Sequence, residues 1–187
     1  MAITTLDLRT ALVVVDLQKG LMGCPLIHPI GTVVEKAAAL VDAFRRHDLP
    51  VVLVNVTAQA PGRTEQPRRP IEFPEGFADF IPEITPQAGD IVVTKRTWGA
   101  FAKTDLERQL KATGVTQVVV VGVATGTGVE ATARQAYEGG FNVTLAIDAM
   151  TDMRAEAHDY SIANVFPRLG ETGTTQDVID MLEKRSA

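Results

Sequence analysis

The chain has 187 residues, 45% of them hydrophobic and 22% charged, with a formal net charge of −5. That length suits a single domain with one large core, and the acidic balance speaks against nucleic acid, which demands clustered basic surface. One cysteine excludes an intramolecular disulfide and fits a reducing cytoplasm. No apolar run approaches the roughly 20 residues of a membrane span, and the N-terminus lacks the basic-then-apolar pattern of a signal peptide. The expectation is a soluble cytoplasmic protein with no nucleic-acid or membrane partner.

In chain order, residues 11–15 form the first β-branched run, Ala-Leu-Val-Val-Val. A continuous apolar run, rather than an alternating one, predicts a strand buried on both faces. Residues 32–47 then read as a helix with Val34, Ala37, Ala38, Val41 and Phe44 on one stripe. A second strand is predicted at 51–56. The stretch 57–89 breaks the pattern: it holds six of the ten prolines, with Arg63, Arg68 and Arg69, and a segment that long without periodicity is usually functional or disordered. A third strand follows at 91–94, then a helix over 103–112 that Gly114 stops. The fourth strand spans 117–121, an Ala-rich helix 127–137, and a weaker fifth strand 142–147. A helix over 154–166, a short strand near 170–173 and a helix over 175–184 complete the chain. Such alternation predicts an α/β fold of three layers, a mostly parallel sheet with helices on both faces, Rossmann-like in plan.

In open α/β sheets, ligands bind beyond the carboxyl ends of the strands. Those ends carry Asp16-Leu17-Gln18, residues 55–59, Lys95-Arg96-Thr97-Trp98, the glycine-rich stretch 122–128, and Asp148. An acid, a lysine and a glycine turn are therefore expected on one edge.

The inventory of nucleophiles is short. The two serines, Ser161 and Ser186, lie in no Gly-x-Ser-x-Gly context. Cys24 follows the first strand and could border the site, although a lone cysteine more often behaves as a small apolar residue. Thr125 and Thr127 lack an evident adjacent base. His28, His47 and His158 share no zinc spacing, and His47 and His158 are placed away from the site edge, so no metal and no cofactor is implied. One rival pattern exists: Gly126-x-Gly128-x-x-Ala131 follows a strand and opens a helix, with Asp148 about 20 residues on, as in a dinucleotide fingerprint. A dinucleotide-binding protein is thus one alternative.

Three segments together resemble the isochorismatase-like hydrolase superfamily, across essentially the whole chain. Residues 11–18 resemble its first strand and catalytic aspartate. Val93-Thr94-Lys95-Arg96, with Gly99-Ala100-Phe101 and Thr104-Asp105-Leu106, resembles its lysine segment. Residues 122–134 resemble its nucleophile turn, in which Gly128 stands where most members carry the catalytic cysteine. The resemblance implies a six-stranded parallel sheet, a cis peptide between Val123 and Ala124, and a dimer or larger homo-oligomer. It assigns Asp16 and Lys95 to catalysis and the cysteine position to Gly128.

Within the superfamily the isochorismatases themselves have glycine at that place. Thr57-Ala58-Gln59, followed by a Pro-Gly and a downstream arginine, is similar to their substrate segment. This implies Gln59 and either Arg68 or Arg69 as substrate contacts, with Trp98, Val123, Ala124 and Thr127 shaping the pocket. The related nicotinamidases carry a metal set just past the second strand that residues 57–60 lack. Residues 70–76 also depart from the aromatic, glycine-rich stretch of an isochorismatase, and Ala124 replaces a bulky aromatic. The implied chemistry is hydrolysis of a small carboxylated substrate, with vinyl-ether cleavage by acid catalysis as one form. A catalytically inactive binding or assembly protein on the same fold is the other class.

Overall fold

The computed structural model describes residues 3–66 and 72–185. Six strands form one sheet: β1 (Thr10–Val15), β2 (Val51–Val56), β3 (Ile91–Lys95), β4 (Gln117–Val123), β5 (Asn142–Thr151) and β6 (Glu171–Gly173). Their order is β3-β2-β1-β4-β5-β6, and every pairing is parallel. The helices are α1 (Ile30–Arg46), α2 (Leu106–Ala112), α3 (Glu130–Glu138), α4 (Ala155–Tyr160) and α5 (Thr175–Lys184).

The valine runs explain the layering. Leu12 and Val14 point into a core with Val34, Ala37, Val41 and Phe44 of α1 and Val178 and Leu182 of α5. Ala11, Val13 and Val15 point the other way, onto Leu106 and Leu110 of α2 and Ala133 and Ala136 of α3. Both faces of β1 are therefore covered, and alternation would have left one of them polar. The direction of winding reverses between β1 and β4, so a crevice opens at their carboxyl ends, where doubly wound sheets bind ligands.

Several boundaries differ from those read in the sequence. The helix expected over 103–112 begins only at Leu106, because Lys103 has φ +59°, outside helical space. The helix expected from Thr127 starts as a π-helical turn, Thr125–Val129, in which the Val129 N–H reaches the Ala124 carbonyl five residues back. The helix over 154–166 is three pieces: α4, a second π turn at Ser161–Val165, and a short 3₁₀ stretch through Pro167. Most consequential, β5 runs on to Thr151 beside β4, past a register shift between Val120 and Gly122. No helix among the described residues is long and apolar enough to cross a membrane.

Candidate active site

Asp16 follows the last residue of β1, and its backbone turns there into the left-handed region with φ +54°. Aspartate tolerates that region better than most residues, at a cost of about 1–2 kcal/mol. Its N–H remains tied to the Val54 carbonyl at 2.9 Å. Lys95 ends β3 and reaches past β2, bringing its Nζ within 2.7 Å of Asp16 Oδ2. The lysine also donates to the Thr97 carbonyl at 3.2 Å. Both side chains are buried, and Asp16 Oδ1 has no hydrogen-bond partner among the described residues.

Burial disfavours the carboxylate form, and the adjacent ammonium restrains but does not cancel that effect. The Asp16 pKa accordingly rises from 3.8 to about 6. Because the folded protein holds this proton more tightly than the unfolded chain, the associated stabilisation is complete below the unfolded value and fades as pH rises through about 6. Replacing Lys95 by Met should push the Asp16 midpoint above about 6, as read from its ¹³C carboxyl resonance during a pH titration. A midpoint at or below the wild-type value would contradict this electrostatic account.

The pair opens into a cavity of about 250 Å³. Asp16, Lys95, Gln59, Thr97 and Thr127 supply its polar groups, and Gly128 forms part of its wall. The remaining wall is largely apolar, with Leu21, Leu26, Val56, Phe73, Phe77, Trp98, Val123 and Met153. Few convergent polar groups in an apolar concavity is the usual character of a small-molecule site.

The glycine turn is built to fit closely behind Asp16. The Val123–Ala124 peptide is cis, as the resemblance implied. The Ala124 carbonyl accepts from the N–H groups of Thr127 and Val129, each at 3.1 Å. At Gly128, a Cβ would lie 3.3 Å from Asp16 Oδ2 and 3.1 Å from both the Val123 carbonyl and Val15 Cγ1. Any side chain there would project beside the carboxyl group, so its absence leaves Asp16 open to the cavity.

Of the residues singled out in the sequence, Asp16, Lys95, Gly128, Gln59, Trp98, Val123, Ala124 and Thr127 line this one cavity. Cys24 lines it too. Arg68 and Arg69 lie outside the described residues. Asp148 is a correction: it lies within β5, not at its end, and is turned away from the glycine turn. Its carboxylate accepts from the Thr175 N–H and hydroxyl and pairs with Lys36 at 2.7 Å, tying the start of α5 to α1. The acid at the turn is instead Asp152, whose Oδ2 accepts from the Gly126 N–H at 2.7 Å. His158 is a second correction. Its Nδ1 lies 2.8 Å from Thr125 Oγ1, so it abuts the glycine turn rather than lying away from the site edge.

The sequence reading also missed Phe73 and Phe77, four apart in the proline-rich break, whose rings meet edge to face with centroids 5.0 Å apart. Gln18, fully buried, holds their segment in place. Its Nε2 donates to the carbonyls of Val56 and Phe77 at 3.1 Å, while its Oε1 accepts from the Val56 N–H at 2.7 Å. An apolar pair at helical spacing beside prolines was the available signal for the phenylalanines. Gln18, a polar residue directly after a buried strand, was the signal for their anchor.

An isochorismatase domain profile matches residues 10–177. The chain is 40% identical over 183 residues to the uncharacterized isochorismatase family protein YwoC of Bacillus subtilis, covering 94% of this chain and 95% of that one. It is 30% identical to maleamate amidohydrolase of Pseudomonas putida, covering 93% of this chain and 87% of that protein. Among solved structures, an isochorismatase family protein from Burkholderia thailandensis superposes with a TM-score of 0.93 at 39% identity, covering 97% of this chain and 100% of that one.

Proposed function

The chain belongs to the isochorismatase family of hydrolases, and from that premise we propose that it hydrolyses a small carboxylated enol ether by acid catalysis, without a cysteine nucleophile. The observation that carries this reading is the buried Asp16 carboxyl, with its pKa raised to about 6, packed beside Gly128 rather than a nucleophile at the edge of an apolar cavity. A thiol mechanism needs a nucleophile on that turn, and Gly128 provides none. Enol-ether hydrolysis needs only an acid and a water.

Protonated Asp16 transfers its proton to the terminal methylene carbon of the enolpyruvyl group, leaving an oxocarbenium ion. Water adds to that cation and returns a proton to the Asp16 carboxylate. The hemiketal then collapses to pyruvate and an alcohol, so one water is consumed and the acid is regenerated. Lys95 keeps Asp16 oriented and offers positive charge to the substrate carboxylate. Gln59 supplies a further polar group at the cavity edge, and the family resemblance assigns the substrate an arginine, Arg68 or Arg69. The aromatic wall of Phe73, Phe77 and Trp98 accepts an unsaturated ring.

Dinucleotide binding fits the site poorly, because the Gly126 N–H that would meet a pyrophosphate already donates to the Asp152 carboxylate. The same family reading carries a homo-oligomer, supported by Trp98 and Met153, which line the cavity yet remain 64% and 54% exposed.

The test is turnover of isochorismate and chorismate, read as pyruvate, beside small amides, read as ammonia. Pyruvate from an enolpyruvyl ether supports the proposal. Ammonia without pyruvate would move the chain to amide hydrolysis, the activity named for the Pseudomonas relative, and binding without either product would make it a binding module. Cys24→Ala should leave the rate within about tenfold, or ~1.4 kcal/mol. Loss by orders of magnitude, with a covalent adduct trapped on Cys24, would overturn the thiol-free reading.

A further inference from the structure

The start of the glycine turn is held by a histidine for which the acid mechanism has no use. Thr125 is fully buried, and its Oγ1 meets Nδ1 of His158, itself only 7% exposed on α4. The His158 ring packs edge-on against His28, with centroids 4.9 Å apart and planes at 66°. His28 is fixed in turn on Thr151 Oγ1, through its ring Nδ1 at 3.1 Å and its backbone N–H at 3.3 Å. The neighbouring Ile27 N–H donates to the Asp152 carbonyl at 2.9 Å.

Two walls of the cavity meet at this contact. His28 closes the segment that supplies Leu21, Cys24 and Leu26 to the cavity, while Thr125 is flanked by Ala124, Thr127 and Gly128. We propose that His158 is a positioning residue: its neutral ring holds Thr125, and with it the turn that sets Gly128 against Asp16, in register with the His28 segment. The proposal takes this cavity as the active site, but it makes a claim about geometry that turnover is not needed to read.

A neutral imidazole offers one donor and one acceptor, and a threonine hydroxyl can complement either tautomer at Nδ1. A protonated ring carries a charge that this buried place solvates poorly. The titratable groups facing it are His28, which repels a cation, and the carboxylates of Asp152 and Asp159, which attract one. Burial outweighs the carboxylates and holds His158 below its ordinary 6.5. Protonation leaves Nδ1 able to donate to the Thr125 hydroxyl, so it is the cost of the buried charge beside His28 that should displace the ring on acidification and move the turn.

The experiment is an NMR titration of the full chain carrying Asp16→Asn, which removes a carboxyl titrating in the same range. Amide resonances of Gly126 and Gly128 and the ring resonance of His158 are followed from about pH 8 to about pH 5. The expected result is one midpoint, below 6.5, shared by the ring and both amides. Adding Thr125→Val should abolish the amide response while the ring still titrates. His158→Gln, which keeps a hydrogen-bonding group, should hold the amides near their high-pH positions throughout, whereas His158→Leu should displace them at every pH. Amides that stay flat while the ring titrates, or that move with a midpoint different from that of the His158 ring, would overturn the proposal. The Asp16→Asn titration decides the matter even where a His158 variant does not fold.

Discussion

Replacing Asp16 by asparagine should lower enol-ether hydrolysis by about 10²–10⁴-fold, the usual contribution of general acid catalysis, or about 3–5 kcal/mol of transition-state stabilisation. Asparagine keeps the shape of aspartate and its tolerance of the left-handed backbone found at φ +54°. Its carbonyl oxygen can still accept from Lys95, which retains the Thr97 carbonyl as well. Fold and substrate binding should therefore persist, which thermal shift with isochorismate or chorismate can establish independently of turnover. The protonated carboxyl is the active form, so the wild-type rate should fall as pH rises past about 6. A variant that turns over substrate like wild type, or a rate that climbs through that range, would defeat the acid mechanism while leaving the fold untouched.

The second large effect is structural. Gly122→Ala should destabilise the protein by about 3–5 kcal/mol, combining backbone strain with overpacking, and lower the melting temperature by roughly 10 °C for a chain of this size. Gly122 has φ +114°, and a Cβ there would lie 2.1 Å from the Val15 carbonyl oxygen and 2.8 Å from the Val15 nitrogen. Those are backbone atoms of the adjacent strand, paired in register with Gly122, so they cannot yield without moving β1. Asp16 is the next residue, and activity should fall with stability. Gly31→Ala is the control: no atom lies within 4 Å of its added Cβ and its φ is not positive, so that change should be neutral or slightly stabilising. Equal melting points for Gly122→Ala and wild type would show that the close approach of β1 and β4 is not rigid.

The site was legible in proportion to how local its determinants are. Asp16 and Lys95 each sit at the end of a strand that a valine-rich run announces, and a parallel sheet must bring strand ends to one edge. The glycine turn was equally visible, because a strand followed by glycines and a helical pattern is a local signature. Phe73 and Phe77 were not, because the segment that carries them has no secondary structure of its own. It is fastened by Gln18 and by backbone bonds from Lys19 and Gly20 to Asp79 and Phe77.

Sequence by itself determined the layering, since strands apolar on both faces require cover on both, and it determined which side chains could do chemistry. Three things were decided only by the tertiary structure. The end of β5 is one: a strand continues for as long as its neighbour offers backbone partners, and β4 offers them through Val123, paired with Thr151. That extension carries Asp148 to the α1–α5 side and delivers Asp152 to the turn. The place of His158 is another, because α4 returns over the turn only once β5 has run its full length. The third is the protonation of Asp16. Lysine proximity favours the carboxylate and burial favours the acid, and the balance depends on how completely the folded chain removes water from the pair, which no local stretch of sequence encodes.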